Sequence, residues 1–306
     1  LMPAAAVARV LDAVAGAWHI SPDVEVTIES NPTSAEAEHF AGYRAAGINR
    51  VSVGVQALND DDLKALGRQH SSGEAIAAFR LAAMMEMHEA VANHLSLAVS
   101  ADGKKFLMNP RWKHFSRIKA SELLLLDSTD TSTMDRPDAP DLTAWCIHGR
   151  MHATVPQARC IIHLHPAYAT AIASLANPEI LPVDQNTARF FNRVAFDMDY
   201  GGMANTTEEG DRLGRLLGNR QMMMMGNHGM LVCADTVAEA FDLTYYFERA
   251  CRTLVLAYST GQKLNVLSPA VAEQTAREWE DYGPMADAHF AELKKILDAR
   301  DPSYAD

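Results

Sequence analysis

Residues 160–166, Cys160-Ile161-Ile162-His163-Leu164-His165-Pro166, read as a strand that ends in two histidines. Side chains alternate across a strand, so His163 and His165 project to one face while Ile162 and Leu164 point to the other, into a core. Pro166 cannot continue the ladder and places the pair at the strand end. A neutral imidazole is a good ligand for zinc and neighbouring divalent ions, and three protein ligands with one open position is the catalytic arrangement. A third imidazole sits in Gly226-Asn227-His228-Gly229, a tight turn between two apolar strands where a lone polar side chain needs a reason. Each motif alone is also common on exposed strands and turns. Together they make His163, His165 and His228 the expected ligands of one divalent ion.

Working outward, residues 221–225 and 230–233 read as strands flanking that turn, and 236–261 as a long helix. The tail over 268–299 is charged and helical. Before the His-x-His strand, 142–154 reads as a helix and 128–139 as a polar loop broken by Pro137. Residues 94–99 and 105–108 form a hairpin around the Ala101-Asp102-Gly103 turn, and 78–89 is a helix rich in Ala and Met. A different pattern occupies the first part of the chain. Residues 24–28 alternate as a strand. Thr33-Ser34-Ala35-Glu36 is a capping box that opens a helix ending at Ala46-Gly47, and 50–56 is a second strand. That is a βαβ unit, followed by a short helix over 60–66 and preceded by an alanine-rich helix over 4–17.

The chain has 306 residues and a formal net charge of −12, with a sequence pI near 5.4. Nucleic acid is held by cations that neutralise phosphates, so an acidic chain argues against it, and equally against a polybasic membrane contact. No run approaches the ~20 apolar residues of a membrane span, and no cationic segment announces a secretion signal. Leu1 in place of Met marks a possible fragment. Cys146, Cys160, Cys233 and Cys251 lie in apolar contexts without a Cys-x-x-Cys pair, the pattern of free thiols in a reducing cytosol. The expectation is an acidic cytoplasmic protein.

Several metal folds fit poorly. A cupin wants a Glu soon after His-x-His, and a metallo-β-lactamase an Asp-His pair; residues 166–170 supply neither, and an amidohydrolase barrel places the motif near its start. The residues 79–306 instead resemble the class II aldolase/adducin family. The resemblance is carried by residues 88–96 (His-Glu-Ala-Val-Ala-Asn-His-Leu-Ser), residues 115–121 (Phe-Ser-Arg-Ile-Lys-Ala-Ser), His163-Leu164-His165-Pro166 and Gly226-Asn227-His228-Gly229, in the family's order. It implies an α/β/α fold around a mainly antiparallel sheet, a divalent metal (zinc, with manganese as the alternative) on His163, His165 and His228, and a homotetramer with sites at subunit interfaces. Asn93 and Ser96, in the stretch matching the family's Gly-Asn-x-Ser loop, are the implied substrate-binding residues. The chain departs from the family in two places. The Glu that sugar-phosphate aldolases carry nineteen positions before the first metal histidine is Ala144 here, and their phosphate-binding Thr-Pro-Ser-Gly matches Asn109-Pro110-Arg111-Trp112, where an indole replaces glycine. That leaves the acid/base residue open among His148, His152, Tyr245 and Tyr246.

Residues 1–75 resemble part of a radical SAM protein of the coproporphyrinogen oxidase and haem-chaperone type, through Glu29-Ser30-Asn31-Pro32, residues 50–56 (Arg-Val-Ser-Val-Gly-Val-Gln) and Leu66-Gly67-Arg68-Gln69-His70. That chemistry needs three thiolates for an iron–sulfur cluster, and the first cysteine of the chain is Cys146, so no cluster is expected. The domain reading is therefore 1–76, a partial and non-functional βαβ segment, and 77–306, the aldolase/adducin-like domain, with the junction between Ser71 and Phe79. The function implied is a lyase that breaks a C–C bond of a small hydroxy- or oxo-acid or sugar-like molecule, by retro-aldol cleavage or decarboxylation through a metal-stabilised enediolate. The alternative is an adducin-like, non-catalytic oligomeric interaction module.

Overall fold

The computed structural model describes residues 4–18, 21, 24–30, 44–53 and 72–302. The chain divides into two units, Leu1–Leu66 and Gly67–Asp306. In the first, helix α1 (Ala4–Ala17) precedes strands β1 (Thr27–Ser30) and β2 (Arg50–Val53), which pair in parallel. Val7 and Ile48 form a small core with Leu11, Val26 and Ala46. The side chain of Asn49 bridges to the segment just before β1, accepting from Val26 N at 2.8 Å and donating to the Val24 carbonyl at 2.7 Å. The parallel pair is what a βαβ unit requires. Most of the expected linking helix over 33–46, the 54–56 strand end, the 60–66 helix and the Leu66–His70 motif lie outside the described residues.

The second unit holds a seven-stranded sheet. Its strands are β3 (His94–Ala98), β4 (Lys105–Met108), β5 (Leu124–Asp127), β6 (Cys160–Leu164), β7 (Val194–Asp197), β8 (Met222–Met225) and β9 (Gly229–Ala234). They lie in the order β5-β4-β3-β6-β9-β8-β7, antiparallel except for the β7–β8 pair. The helices are α2 (Ser72–Met84), a continuous helical run α3 over 142–154, α4 (Ala167–Ala173), α5 (Gln185–Ala188), α6 (Thr207–Leu217), α7 (Val237–Ser259), α8 (Pro269–Glu280) and α9 (Met285–Arg300). One sheet face, with Leu95, Leu97, Ile162, Leu164, Met224 and Val232, packs on α2, α4 and α7. The other, with Ile161, Met223, Leu231 and Cys233, packs on Ile147 and Met151 of α3 and Leu213 and Leu217 of α6. This is the expected α/β/α layering on a mainly antiparallel sheet.

Three details differ from the sequence reading. The charged tail is two helices rather than one, because Gly283 adopts φ +67° and Pro284 cannot donate into a helix. Between 177 and 220 the sequence reading gives no element, yet β7 and α6 lie there; β7 has only four residues, too few for a clear period. The unit division falls at Leu66/Gly67 rather than at 76, and Ala75 and Ile76 of α2 are buried in the same cluster as Phe79 and Leu81.

Helix α3 contains a π turn over Trp145–Gly149, and α6 packs closely against it. A Cβ on Gly210 of α6 would stand 2.0 Å from the Cys146 carbonyl oxygen. The neighbour is backbone and cannot yield cheaply. Gly210→Ala is therefore expected to lower stability by about 2 kcal/mol or more, the scale of core overpacking, read as a lower urea midpoint at unchanged m-value.

Candidate metal centre

The sheet register builds the site. His94 pairs with His163 across β3–β6, and His163 pairs with Leu231 across β6–β9. His163 is 1% exposed and its Nδ1 lies 2.9 Å from the Met230 carbonyl oxygen. A carbonyl only accepts, so Nδ1 carries the proton and Nε2 is left as the ligand atom. His165 follows one residue past the strand; its Nδ1 is 2.7 Å from the Glu89 carboxylate, and its Nε2 is 3.1 Å from His163 Nε2. His228 comes from the β8–β9 turn. Asn227 there adopts φ +55°, a conformation asparagine tolerates, and Gly226 N–H donates to the Asp197 carbonyl at 2.7 Å. Gly229 has no room for a side chain, since a Cβ would meet Leu164 O at 2.5 Å and His165 Cδ2 at 2.7 Å.

One nitrogen from each of His163, His165 and His228 lies within 4.8 Å of the others. The His228 ring is 4.8 Å from His163 and 4.6 Å from His165, centroid to centroid. Burial, with the nearby His165, pushes His228 down to about 4, and the same causes hold His163 well below its ordinary value. Neutral imidazoles with fixed tautomers are what a divalent cation binds.

Further histidines that the sequence reading did not place at the metal surround the trio. His94 stacks 5.9 Å from His163, with Nε2 3.8 Å from Asp141 Oδ1. Burial pushes it down to about 4 although Asp141 pulls the other way. The signal was available: two positions before Ser96 on one strand, His94 shares that residue's face. Ser96 itself is fully buried, its hydroxyl 2.7 Å from both His148 Nδ1 and His152 Nε2. One imidazole accepts from it and the other donates to it. Ser96 thus has no surface for a substrate in this structure and belongs to an internal network. Asn93 is 1% exposed; its carbonyl accepts from Asn109 Nδ2 and its Oδ1 from Glu89 N–H at 2.5 Å.

Of the acid/base candidates, His148 lies next to His94, at 5.8 Å between ring centroids, and His152 stacks on Phe106. Tyr245 and Tyr246 stand elsewhere, against His289, Arg189 and Trp279. A helix pattern could not reveal that α7 turns these phenols toward α8 and α9. Tyr200, which the sequence reading did not single out, stands half-exposed with its ring 6.2 Å from His228. Ala144 is buried beside Phe106, Met108, Leu124 and Leu126. A cavity of about 680 Å³ lined by Arg189, Arg220 and Trp279 includes none of the site histidines.

Comparison with known proteins places the second unit in a family. Residues 73–255 match the model of the class II aldolase and adducin N-terminal domain. A Caulobacter vibrioides protein assigned by name to aldolase class 2 is 29% identical over 232 residues, 75% of this chain and 90% of the relative. The decarboxylase NovR of Streptomyces niveus is 25% identical over 71% of this chain and 79% of its own. Among solved structures, an aldolase II superfamily protein from Pseudomonas syringae superposes with a TM-score of 0.70 at 26% identity, covering 77% of this chain and 94% of that one. Residues 4–97 match the radical SAM superfamily. Over 70 residues the chain is 53% identical to the bovine mitochondrial radical S-adenosyl methionine domain-containing protein 1, which is 23% of this chain and 16% of the relative. Behind a radical SAM-like segment, this chain belongs to the class II aldolase and adducin family.

Proposed function

We propose that the chain is a divalent-metal-dependent carbon–carbon lyase acting on a small hydroxy- or oxo-acid or sugar-like molecule, with zinc or manganese held by His163, His165 and His228. The observation that carries this reading is the convergence of three imidazole nitrogens within 4.8 Å. Two of those imidazoles already have their protons directed away, to the Met230 carbonyl and to Glu89. When bound, such an ion acts as a Lewis acid that stabilises negative charge on a substrate oxygen as the C–C bond breaks. The protein's own groups do the rest. Neutral His94 stands beside the site with Asp141 behind it, placed to take or give a proton. Tyr200 offers a phenol at the rim. The decarboxylase and aldolase names among the relatives fit either retro-aldol cleavage or decarboxylation, and the assembly proposed is a homotetramer. Ala144 in an apolar cluster, where sugar-phosphate aldolases carry a carboxylate, favours the second reading, an adducin-like interaction module.

Metal analysis separates the two. The purified chain is expected to carry about one equivalent of zinc or manganese, to lose it in His163→Ala, and to lose with it any release of CO₂ or aldehyde from hydroxy- and oxo-acids. A chain that takes up no stoichiometric metal sinks the lyase reading.

The buried imidazoles also set a pH dependence. His94, at about 4, and His152, at about 3, are both depressed by burial below the 6.5 of an exposed histidine. The unfolded chain then binds protons that the folded chain refuses. Stability is full above about pH 6.5 and falls as pH drops toward 4, by up to ~1.4 kcal/mol per unit for each such histidine. The metal-free protein should therefore melt progressively lower between pH 7 and pH 4.5, and His152→Phe, filling its place beside Phe106, should flatten that slope.

A further inference from the structure

The metal site's carboxylate enters from an unexpected direction. Glu89 lies between α2 and β3, 76 positions from His165 in the sequence, yet its carboxylate sits 2.7 Å from His165 Nδ1. It also acts electrostatically on His228. Its turn is held from both sides. His88, one residue before, stacks on Phe115 at 5.2 Å and bonds to His114 at 2.9 Å. Ala90, one residue after, adopts φ +45°, a left-handed conformation that costs a residue bearing a Cβ on the order of 1–2 kcal/mol. The buried Asn93 closes the turn by accepting from Glu89 N–H, and Ala92 N–H donates back to the Glu89 carbonyl at 2.9 Å. Strain of this kind persists only where the surroundings over-determine it, and it gathers at functional sites.

We propose that Glu89, presented by this clamped turn, is the positioning carboxylate of the metal centre, supplying from the α2–β3 connection the negative charge that position 144 lacks. It acts through His165. By accepting the Nδ1 proton it fixes the tautomer that leaves Nε2 for the ion, orients the ring and raises its basicity, as carboxylate–histidine–metal triads do. Asn93 then serves the centre indirectly, as the clamp that sets where Glu89 starts. The inference rests on the metal reading above.

Its test uses the full chain, loaded with cobalt(II) as a spectroscopic stand-in and titrated against a chelator. The Glu89 side chain is 61% exposed, so its removal leaves the folded state nearly as stable as before. Glu89→Ala is expected to weaken cobalt and zinc binding about 10- to 100-fold and to shift the cobalt visible bands, with the melting temperature of the metal-free protein unchanged. Glu89→Gln keeps an acceptor oxygen without the charge and should recover part of the affinity. Asn93→Ala should weaken binding in the same direction. Wild-type affinity and bands in Glu89→Ala would overturn this role while leaving the metal site standing. A loss of affinity that only tracks a fall in melting temperature overturns it as well. A wild-type chain that takes up no cobalt overturns both.

Discussion

The hydrogen bond from His163 Nδ1–H to the Met230 carbonyl is where fold and site become one object. It runs between neighbouring strands, β6 and β9, so it exists only if their register is kept. A slip of one residue would turn His163 to the opposite face and bury Leu164 in its place. The same register brings Gly229 under His165, where the absence of a Cβ lets the Gly229 backbone lie close to both that ring and the Leu164 carbonyl. Two strands and one turn thus bring the three imidazoles together with no loop longer than the Gly226–Gly229 connection. The apolar run Met222–Met225 on one side and 230–234 on the other hold that register by burial.

Behind the trio lies a polar layer that an ordinary core would not contain. His94, Ser96, His148 and His152 are all buried, and His148 Nε2 and His94 Nδ1 find no partner. Each such orphan costs on the order of 1–3 kcal/mol. An apolar side chain at any of these places would pack without that penalty. Retaining imidazoles there, against the sheet face that carries His163, is the kind of local disadvantage that proteins carry near sites. The π turn that includes His148 lies within the same layer, and such turns recur at functional positions.

The convergence of His163, His165 and His228 was legible in the sequence because their signals are local: a period of two for His163 and His165, and a glycine-flanked turn for His228. The sheet's central strands were legible for the same reason. What was hidden is everything set by distant pairing. His94 is one histidine among twelve until the register places it against His163. Glu89 reads as the exposed end of a helix until the turn after α2 folds it onto His165. Ser96 and Asn93, which the motif offers as substrate contacts, show a different gap: the Ser96 hydroxyl is held by His148 and His152, while Asn93 uses its Oδ1 on Glu89 N–H and keeps its Nδ2 without a partner. A motif fixes where residues sit in a fold, not which of their atoms remain free, and here the hydroxyl and the amide oxygen are already engaged. Tyr245 and Tyr246 meet His289, Arg189 and Trp279 instead, since helix position alone does not say which neighbour a phenol meets.

Both family matches include α2 in the sequence, and the core chemistry decides to which unit that helix belongs. Its face from Ala75 to Ala82 is buried with Leu95, Leu97 and Phe115 in the main core. Removing it would expose an apolar sheet face and also release the turn that follows it, from Met85 to Asn93. Glu89 hangs from that turn. The radical SAM match nevertheless runs through residue 97, across α2 and β3, while the aldolase match begins at 73. Only one of these can describe the packing over the shared residues, and the burial of Ala75, Ile76 and Phe79 assigns them to the aldolase unit. Any rearrangement that shortened the second unit to begin after Phe79 would therefore weaken the core and loosen the turn that holds Glu89 against His165 at once.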